Sequence, residues 1–295
     1  MKLIDVLNSP WAIMPEKLLE IRAIYATHLR GDKIDIAAIE ARIGRPLKNE
    51  RAPYAMEGST AIVNIEGVLA KKANMFMDIS GGTSMQMIES DFKAAMSDPE
   101  VKAIVLSIDS PGGTVDGTES LANLIYNARG SKPIVAIADG TMASAAYWIG
   151  SAADKIYAAD NSTKVGSIGV VATHEDYSQA EHAAGVKITE ITAGKYKRIA
   201  SSHEPLSQDG RASIQSMVDH IYSNFVETVA RNRSVGVAKV SDEMADGRIF
   251  LGQQAVKAGL VDGVSTMAAQ VAALNHENAM KLQGAVARLA QQYHK

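Results

Sequence analysis

Apolar residues occur along this chain in short continuous runs that are bounded by glycine and proline. Three of these runs, at residues 61–69, 101–109 and 132–139, have the length and composition of strands buried on both faces. Apolar residues at helical spacing follow them, for example in residues 85–96 and 207–229. Because strands alternate with helices, the pattern predicts an α/β fold with a mainly parallel sheet flanked by helices.

The same pattern predicts three regions along the chain. Residues 1–57 are expected to form a helical N-terminal extension and a linker, since Pro15 can open a helix there. The main domain is expected at residues 58–266, and a C-terminal helix or tail at residues 267–295. Shorter strands are predicted inside the main domain at residues 155–159 and 187–193. Between them, Gly166 and Gly169 indicate close approach of the backbone on either side of Ser167.

The composition is that of an ordinary globular protein, and it excludes several kinds of site. Of the 295 residues, 46% are hydrophobic and 21% charged, and the net charge of -3 offers no basic face for nucleic acid. Because cysteine is absent, disulfides, thiolate metal sites and a cysteine nucleophile are excluded. The seven histidines are dispersed without an HExxH motif, and no dinucleotide or phosphate motif is present. We therefore expect neither a metal nor a cofactor.

The N-terminal segment lacks the hydrophobic region of a signal peptide, because Asp5 and Pro10 interrupt it. No stretch of 18 uncharged apolar residues occurs later in the chain. We therefore expect no association with a membrane and a location in the cytoplasm.

A serine stands where the third apolar run leads into a segment of small residues. Ser144 follows Gly140 and precedes Ala145 and Ala146, so we expect it at a turn between a buried strand and a helix. Unpaired backbone N–H groups at the start of a helix can stabilise negative charge, which makes Ser144 a candidate nucleophile. Serine is also a common helix cap, so the position alone leaves both roles open.

A glycine turn follows the second apolar run, at Ser110-Pro-Gly-Gly113. A strand, a glycine turn and a helix in succession can direct backbone N–H groups at an anion. The same residues are also frequent in turns without any functional role.

Three kinds of chemistry are open to Ser144. His174 could be its base, or a lysine could, provided that burial lowers the lysine pKa from about 10.4 towards neutrality. Lys195 and Lys197 are the best placed lysines, because they follow the predicted strand at residues 187–193. In the third case the serine does not react, and the glycine turn polarises a bound thioester carbonyl, as in relatives of enoyl-CoA hydratase. No GxSxG motif is present to indicate an α/β-hydrolase, and spacing alone does not choose among the three.

Four short motifs occur together and in a fixed order: Ser110-Pro-Gly-Gly113, Met142-Ala-Ser-Ala-Ala-Tyr147, Gly166-Ser-Ile-Gly-Val170 and Gly194-Lys-Tyr-Lys197. In these motifs the chain resembles the serine-lysine peptidases of the signal peptide peptidase A family, over about residues 60–265. The resemblance implies the ClpP/crotonase fold, a repeated β-β-α spiral. It also implies that Ser144 is the nucleophile and Lys197 the general base. Ser167 would orient the lysine, and the backbone N–H groups of Gly113 and Ala145 would form the oxyanion hole.

Two features set the chain apart from the membrane-bound branch of this family. It has no hydrophobic N-terminal anchor, and it carries Ser144-Ala-Ala-Tyr147 in place of Ser-Gly-Gly-Tyr. The soluble branch that it resembles is the head maturation proteases of tailed bacteriophages and prophages. The resemblance implies a homo-oligomeric enzyme that cleaves scaffold, portal or capsid proteins in the host cytoplasm, inside the procapsid.

Two other functions remain open from the sequence. One is a soluble cytoplasmic enzyme that is similar to signal peptide peptidase and degrades peptides. The other is a catalytically silent assembly factor whose terminal helices are its interaction surfaces.

Overall fold

The computed structural model of the chain describes residues 11–14, 52–72 and 82–293. The described strands are β1 (Trp11–Ile13), β2 (Ala55–Glu57), β3 (Thr60–Glu66), β4 (Leu69–Ala70), β5 (Thr83–Ser84), β6 (Ala103–Ser110), β7 (Gly112–Thr114), β8 (Ile134–Ala143), β9 (Lys155–Ala158), β10 (Lys164–Gly166), β11 (Ile249–Leu251) and β12 (Gly263–Val264). The described helices are α1 (Met85–Ser97), α2 (Thr118–Asn127), α3 (Ala145–Gly150), α4 (Ser178–Ala183), α5 (Gln208–Arg233), α6 (Val237–Glu243), α7 (Gly252–Ala258) and α8 (Met267–Tyr293).

The larger sheet has the strand order β11-β10-β8-β6-β3-β2, and β9 and β12 extend it beside β8. Strands β3, β6, β8 and β10 are parallel neighbours, whereas β2 and β11 pair antiparallel at the two edges. The three apolar runs form β3, β6 and β8, which lie in the middle of the sheet. The prediction of an α/β fold with a mainly parallel sheet is thereby confirmed.

Helices cover both faces of this sheet, because successive residues of its strands point to opposite sides. On one face, Ile104 and Leu106 of β6 belong to a cluster with residues of α1, α2, α3 and α5. On the other face, Val105 of β6 packs with Val271 and Leu274 of α8. Of the two possibilities left open for the C-terminal residues, a helix or a tail, Met267–Tyr293 form a helix, and its first half closes the second face of the core.

The smaller sheet has the order β1-β7-β4-β5. Its strands β4 and β7 are the continuations of the chain after β3 and β6. Two hydrogen bonds connect these continuations: the Gly67 N–H donates to the Asp109 carbonyl at 2.9 Å, and the Ser110 hydroxyl donates to the Gly67 carbonyl at 2.6 Å. The turns that follow two central strands are thus held side by side at the carboxyl edge of the larger sheet.

One sequence prediction differs from the structure. Residues 187–193 form no strand; they are exposed, and none of the described strands pairs with them. Strand β10 ends at Gly166, because Ser167 adopts a φ of 52°. A segment rich in β-branched residues forms a strand only where a partner can accept its hydrogen bonds.

The predicted N-terminal extension is only partly described. Within residues 1–57, Trp11–Ile13 and Ala55–Glu57 are strands of the two sheets. The helix predicted to begin at Pro15 lies outside the described residues. In the part of the chain that the structure describes, no helix combines the length and apolar character needed to cross a membrane.

Candidate active site

Three neighbouring parallel strands bring the sequence-predicted residues to one edge of the sheet. Strand β6 leads into the Ser110 turn, β8 leads into Ser144, and β10 leads into Ser167. Ala143 of β8 pairs with Gly166 of β10, so the two serines follow directly after paired residues. The carboxyl edge of a parallel sheet is where such proteins usually place binding and catalytic groups.

Ser144 occupies a strained turn between β8 and α3. Its φ of 55° and ψ of -120° lie in a region that residues other than glycine rarely adopt, at a cost of about 1–3 kcal/mol. The surrounding backbone holds this conformation, since the Ser144 N–H donates to the Gly166 carbonyl at 2.7 Å and its carbonyl accepts from the Trp148 N–H at 2.9 Å. The side chain is 1% exposed and makes no capping hydrogen bond. Ser144 is therefore at a helix start without serving as its side-chain cap.

The glycine turn approaches Ser144 more closely than any larger residue would allow. The Ser110 hydroxyl accepts a hydrogen bond from the Gly112 N–H at 3.2 Å, which fixes the turn. A Cβ atom added to Gly112 would lie 2.9 Å from the Ser144 Cβ, and one added to Gly113 would lie 1.8 Å from the Leu69 carbonyl oxygen. Both positions therefore require glycine, and the backbone of the glycine turn lies directly beside Ser144.

The backbone N–H groups of Gly113 and Ala145 belong to the two elements next to Ser144. Gly113 lies in the middle of β7, and its neighbour Gly112 is in close approach to the serine. Ala145 is the first residue of α3, so its N–H has no acceptor within the helix. Two such donors on either side of a nucleophile can stabilise a negatively charged oxygen.

Ser167 resembles Ser144 in its backbone. Its φ is 52°, its side chain is 6% exposed, and its N–H donates to the Arg248 carbonyl at 2.8 Å. The Ser144 N–H bond to Gly166 links the two turns. Among the described residues, no hydrogen bond joins the two hydroxyl groups.

The structure does not bring the candidate bases into contact with Ser144. Lys197 is exposed on a turn after Gly194, and its side chain forms no hydrogen bond with Ser144 or Ser167 within the described ranges. Lys195 places its Nζ 4.9 Å from the centre of the Tyr196 ring. His174 places its Nε2 2.9 Å from the Ser201 carbonyl oxygen. One chain thus assembles the two serines and the two backbone donors, and Lys197 lies apart from them.

Buried residues of α3 anchor the Ser144 turn to the core. The Tyr147 hydroxyl donates to the Leu260 carbonyl at 2.8 Å, and burial raises the pKa of Tyr147, so this side chain stays neutral. The Trp148 ring stacks on Phe225 of α5, with ring centres 4.3 Å apart. Movement of the serine would therefore require repacking of the core.

One part of the site, strand β1, is not predicted by the sequence. Strand β1 lies along β7, so the residues from Trp11 to Ile13 are next to the glycine turn. The only signal was a short apolar group between Pro10 and Pro15, which is too short to be assigned as a strand from its pattern.

A mainly parallel α/β core, a serine on a strained turn and flanking backbone donors are the features of a serine hydrolase. The sequence profile of peptidase family S49 matches residues 127–281. The chain belongs to peptidase family S49, whose members are serine proteases.

The chain aligns with only part of each of several longer relatives. A candidate protease of Methanocaldococcus jannaschii is 38% identical over 169 residues, which are 57% of this chain and 54% of that protein. Head-tail preconnector protein GP5 of Enterobacteria phage P21 and capsid assembly protease C of Escherichia phage lambda are each 32% identical over 209 residues. Those residues are 71% of this chain and 41% and 47% of the two phage proteins, so the chain spans about half the length of these relatives.

Proposed function

We propose that this protein is a serine endopeptidase in which Ser144 is the nucleophile and Lys197 the general base. The observation that carries the proposal is the Ser144 hydroxyl, which is held on a strained turn without a capping bond. Gly113 and Ala145 supply the backbone donors of the oxyanion hole, and Ser167 orients the lysine. The four-motif order and membership of family S49 support the same assignment.

The proposed reaction proceeds through an acyl-enzyme. The Ser144 Oγ attacks the carbonyl carbon of the scissile peptide bond, and its proton passes to the neutral Lys197 amine. The Gly113 and Ala145 N–H groups hold the oxyanion, each contributing about 3 kcal/mol to transition-state stabilisation. The carbon–nitrogen bond then breaks as Lys197 returns the proton to the leaving amine. A water molecule then attacks the carbonyl carbon of the ester and gives a proton to Lys197. The ester carbon–oxygen bond breaks as Lys197 passes this proton to the Ser144 Oγ, and the acid product leaves and ionises to the carboxylate.

This role requires Lys197 to lose contact with water, because only a desolvated lysine is neutral near physiological pH. The segment that carries it is exposed and rich in apolar side chains, with Ile191 95% and Tyr196 60% exposed. We propose that this segment packs against a second copy of the chain in a homo-oligomer, where Lys197 of one copy contacts Ser144 of the other.

We also propose the ClpP/crotonase fold, with residues 58–266 as the peptidase domain.

Cleavage assays with single variants test the dyad. We expect Ser144→Ala and Lys197→Ala to abolish cleavage of casein and of a fluorogenic peptide, whereas Lys195→Ala retains it. Lys195 is the matched control because it lies on the same exposed segment. Activity that survives Lys197→Ala and disappears in Lys195→Ala or His174→Ala would move the base and contradict the assignment.

A mixing experiment tests whether the dyad forms between copies. Inactive Ser144→Ala and Lys197→Ala proteins are combined after mild dissociation and then assayed. Recovery of part of the activity is expected, because one copy supplies the serine and another the lysine. If the wild type is active and the mixture stays inactive after confirmed subunit exchange, the two residues act within one chain.

For the biological role we propose processing of scaffold, portal or capsid proteins inside an assembling phage head. The similarity to proteins named as a capsid assembly protease and a head-tail preconnector supports it. Similarity to Protease 4 of Haemophilus influenzae, at 30% identity over 219 residues, favours peptide degradation as a second candidate.

Co-expression with head proteins distinguishes the two candidate roles. Defined cuts that require Ser144 indicate head maturation, and general breakdown of unfolded protein indicates peptide degradation. Wild type that cleaves neither and yet promotes assembly would indicate a silent assembly factor.

A further inference from the structure

Strand β1 crosses the candidate site with hydrogen bonds on both of its edges. On one edge it pairs antiparallel with β7, in the register Trp11 with Thr114, Ala12 with Gly113 and Ile13 with Gly112. On the other edge, the Trp11 N–H donates to the Val171 carbonyl at 2.9 Å, and the Val171 N–H donates to the Trp11 carbonyl at 3.0 Å. Strand β1 thus lies between β7 and Val171, and a peptide that binds by strand addition to a sheet edge forms backbone hydrogen bonds of the same kind.

The register places the Ala12 carbonyl at the glycine turn. The Met14 N–H donates to the Pro111 carbonyl at 3.0 Å, so Met14 and Pro111 form a hydrogen-bonded pair. Hydrogen-bonded and non-hydrogen-bonded pairs alternate along an antiparallel ladder, so Ala12 and Gly113 form the next hydrogen-bonded pair. The Ala12 carbonyl is therefore directed at the Gly113 N–H, the donor proposed for the oxyanion hole.

The space around Gly112 shows how near this carbonyl is to the nucleophile. A Cβ atom added to Gly112 would lie 2.3 Å from the Ala12 carbonyl oxygen and 2.9 Å from the Ser144 Cβ. Both groups therefore lie on the same side of Gly112. A substrate carbonyl that approached both Ser144 and the Gly113 N–H would have to occupy the place of the Ala12 carbonyl.

The strand is also well buried for so short a segment. Trp11 is 3% exposed, Ala12 is 0% exposed and Ile13 is 3% exposed. Burial of a tryptophan and an isoleucine removes a large apolar surface from water, which stabilises the bound strand. A peptide from solution has to displace a segment that is bound at high local concentration.

We propose that the cleft between Gly112–Thr114 and Val171 is a peptide-binding surface whose occupant in the free protein is the chain's own residues 11–14. This segment holds the cleft closed in cis, and a substrate peptide binds only after it leaves. The inference rests on the proposed function, because it assigns the cleft to the substrate of Ser144.

Peptide binding to a protein that cannot react tests the proposal. The full chain with Ser144→Ala is titrated against a fluorescent peptide of residues 9–16, and binding is followed by anisotropy. We expect weak binding in this parent and at least tenfold tighter binding once Ala12→Asp is added, because a carboxylate next to the glycine turn expels the strand. Trp11→Gly, which removes the buried anchor, is expected to have the same effect. Ile13→Val keeps the strand and is the matched control, with the affinity of the parent.

Two outcomes would overturn the proposal. The first is equal affinity in the parent and in both strand variants, which would mean that β1 does not compete with the peptide. The second is the absence of binding in every variant, which would mean that the cleft does not take this sequence. Because Ser144→Ala lacks the nucleophile, the binding result does not depend on catalysis. Cleavage that survives Ser144→Ala would instead contradict the proposed function and leave the binding result intact.

Discussion

Of the two glycines beside Ser144, Gly113 has the less room, because an added methyl group would lie 1.8 Å from the Leu69 carbonyl oxygen. We expect Gly113→Ala to separate β7 from β4 and to displace a donor of the oxyanion hole. The rate of peptide cleavage should fall by about 10²–10³-fold, the usual effect of losing one such donor. The free energy of unfolding should fall by about 1–3 kcal/mol.

Gly236→Ala is the control for this substitution. Gly236 also has an ordinary φ, of -69°, and nothing lies within 4 Å of its added Cβ. It should keep both activity and stability. Wild-type cleavage rates in Gly113→Ala would show that the backbone at this position does not contact the reacting carbonyl.

At the scale of the elements, Asn275 attaches α8 to the start of the central sheet. Its Oδ1 accepts hydrogen bonds from the Ser59 N–H at 3.0 Å and from the Thr60 hydroxyl at 3.0 Å, and its Nδ2 donates to the Glu57 carbonyl at 2.8 Å. We expect Asn275→Ala to lower the free energy of unfolding by about 1–3 kcal/mol in urea titrations. Asn278→Ala is the matched control on the same helix, since Asn278 donates a long hydrogen bond of 3.4 Å to the Ser59 hydroxyl. Equal effects of the two variants would contradict this role of Asn275.

The elements also show what the sequence could predict. Central strands such as β6 are recognisable because both of their faces are buried, so their residues form continuous apolar runs. For the residues of helix α8, the sequence left a helix or a tail open. Residues 187–193 are rich in β-branched side chains, which favour a strand, yet a strand needs a partner, and composition alone does not show whether one is present. Strand β1 is the reverse case: its three residues show no strand pattern in the sequence, and it forms a strand because it pairs with β7 and Val171.

The same limit applies to the site. Family motifs predicted the residues that the sheet edge brings together, namely the glycine turn, Ser144 and Ser167. The strained φ of Ser144 and the position of β1 depend on contacts between segments far apart in sequence. The assignment of Lys197 as the base remains a prediction, because the described residues of the chain do not bring Lys197 into contact with Ser144.

At the scale of the whole molecule, Asp262 joins β9 to α5. Its carboxylate accepts the Ile156 N–H at 2.8 Å and two bonds from Arg233 at 3.1 Å. The largest single effect on the pKa of Asp262 is burial, which raises it. The hydrogen bonds from Arg233 and Ile156 and the positive charges of Arg233 and Lys155 lower the pKa by more, so the net pKa lies below its usual value. A carboxyl with a lowered pKa stabilises the fold above its unfolded pKa of about 3.9, and this contribution is lost as the pH falls through the folded value.

Asp262→Asn should therefore destabilise the protein near pH 7 by about 1–3 kcal/mol and have a smaller effect at pH 3. Unfolding in urea at both pH values measures the difference. Asp116→Asn, which removes an exposed partner of Lys71, should change stability little at either pH. An Asp262→Asn effect that grows as the pH falls would contradict the assigned direction of the pKa.

The exposed segment around Ile191 carries the prediction of assembly. We expect light scattering to give a particle of several times 31.4 kDa, and Ile191→Asp to reduce its mass because a charge replaces an apolar contact. Lys187→Asp, on the same segment, controls for a change of charge alone. A wild-type monomer at the concentration of the activity assay would contradict the homo-oligomer.

The pH dependence of peptide cleavage tests the central claim most directly. Values of kcat/KM are measured between pH 6 and pH 10 for the wild type, Ser144→Ala and Lys197→Ala, with one fluorogenic peptide. The Ser-Lys account predicts wild-type activity that rises as a single amine loses its proton, and no activity in either variant. A rise that persists in Lys197→Ala, or cleavage by Ser144→Ala, would contradict it.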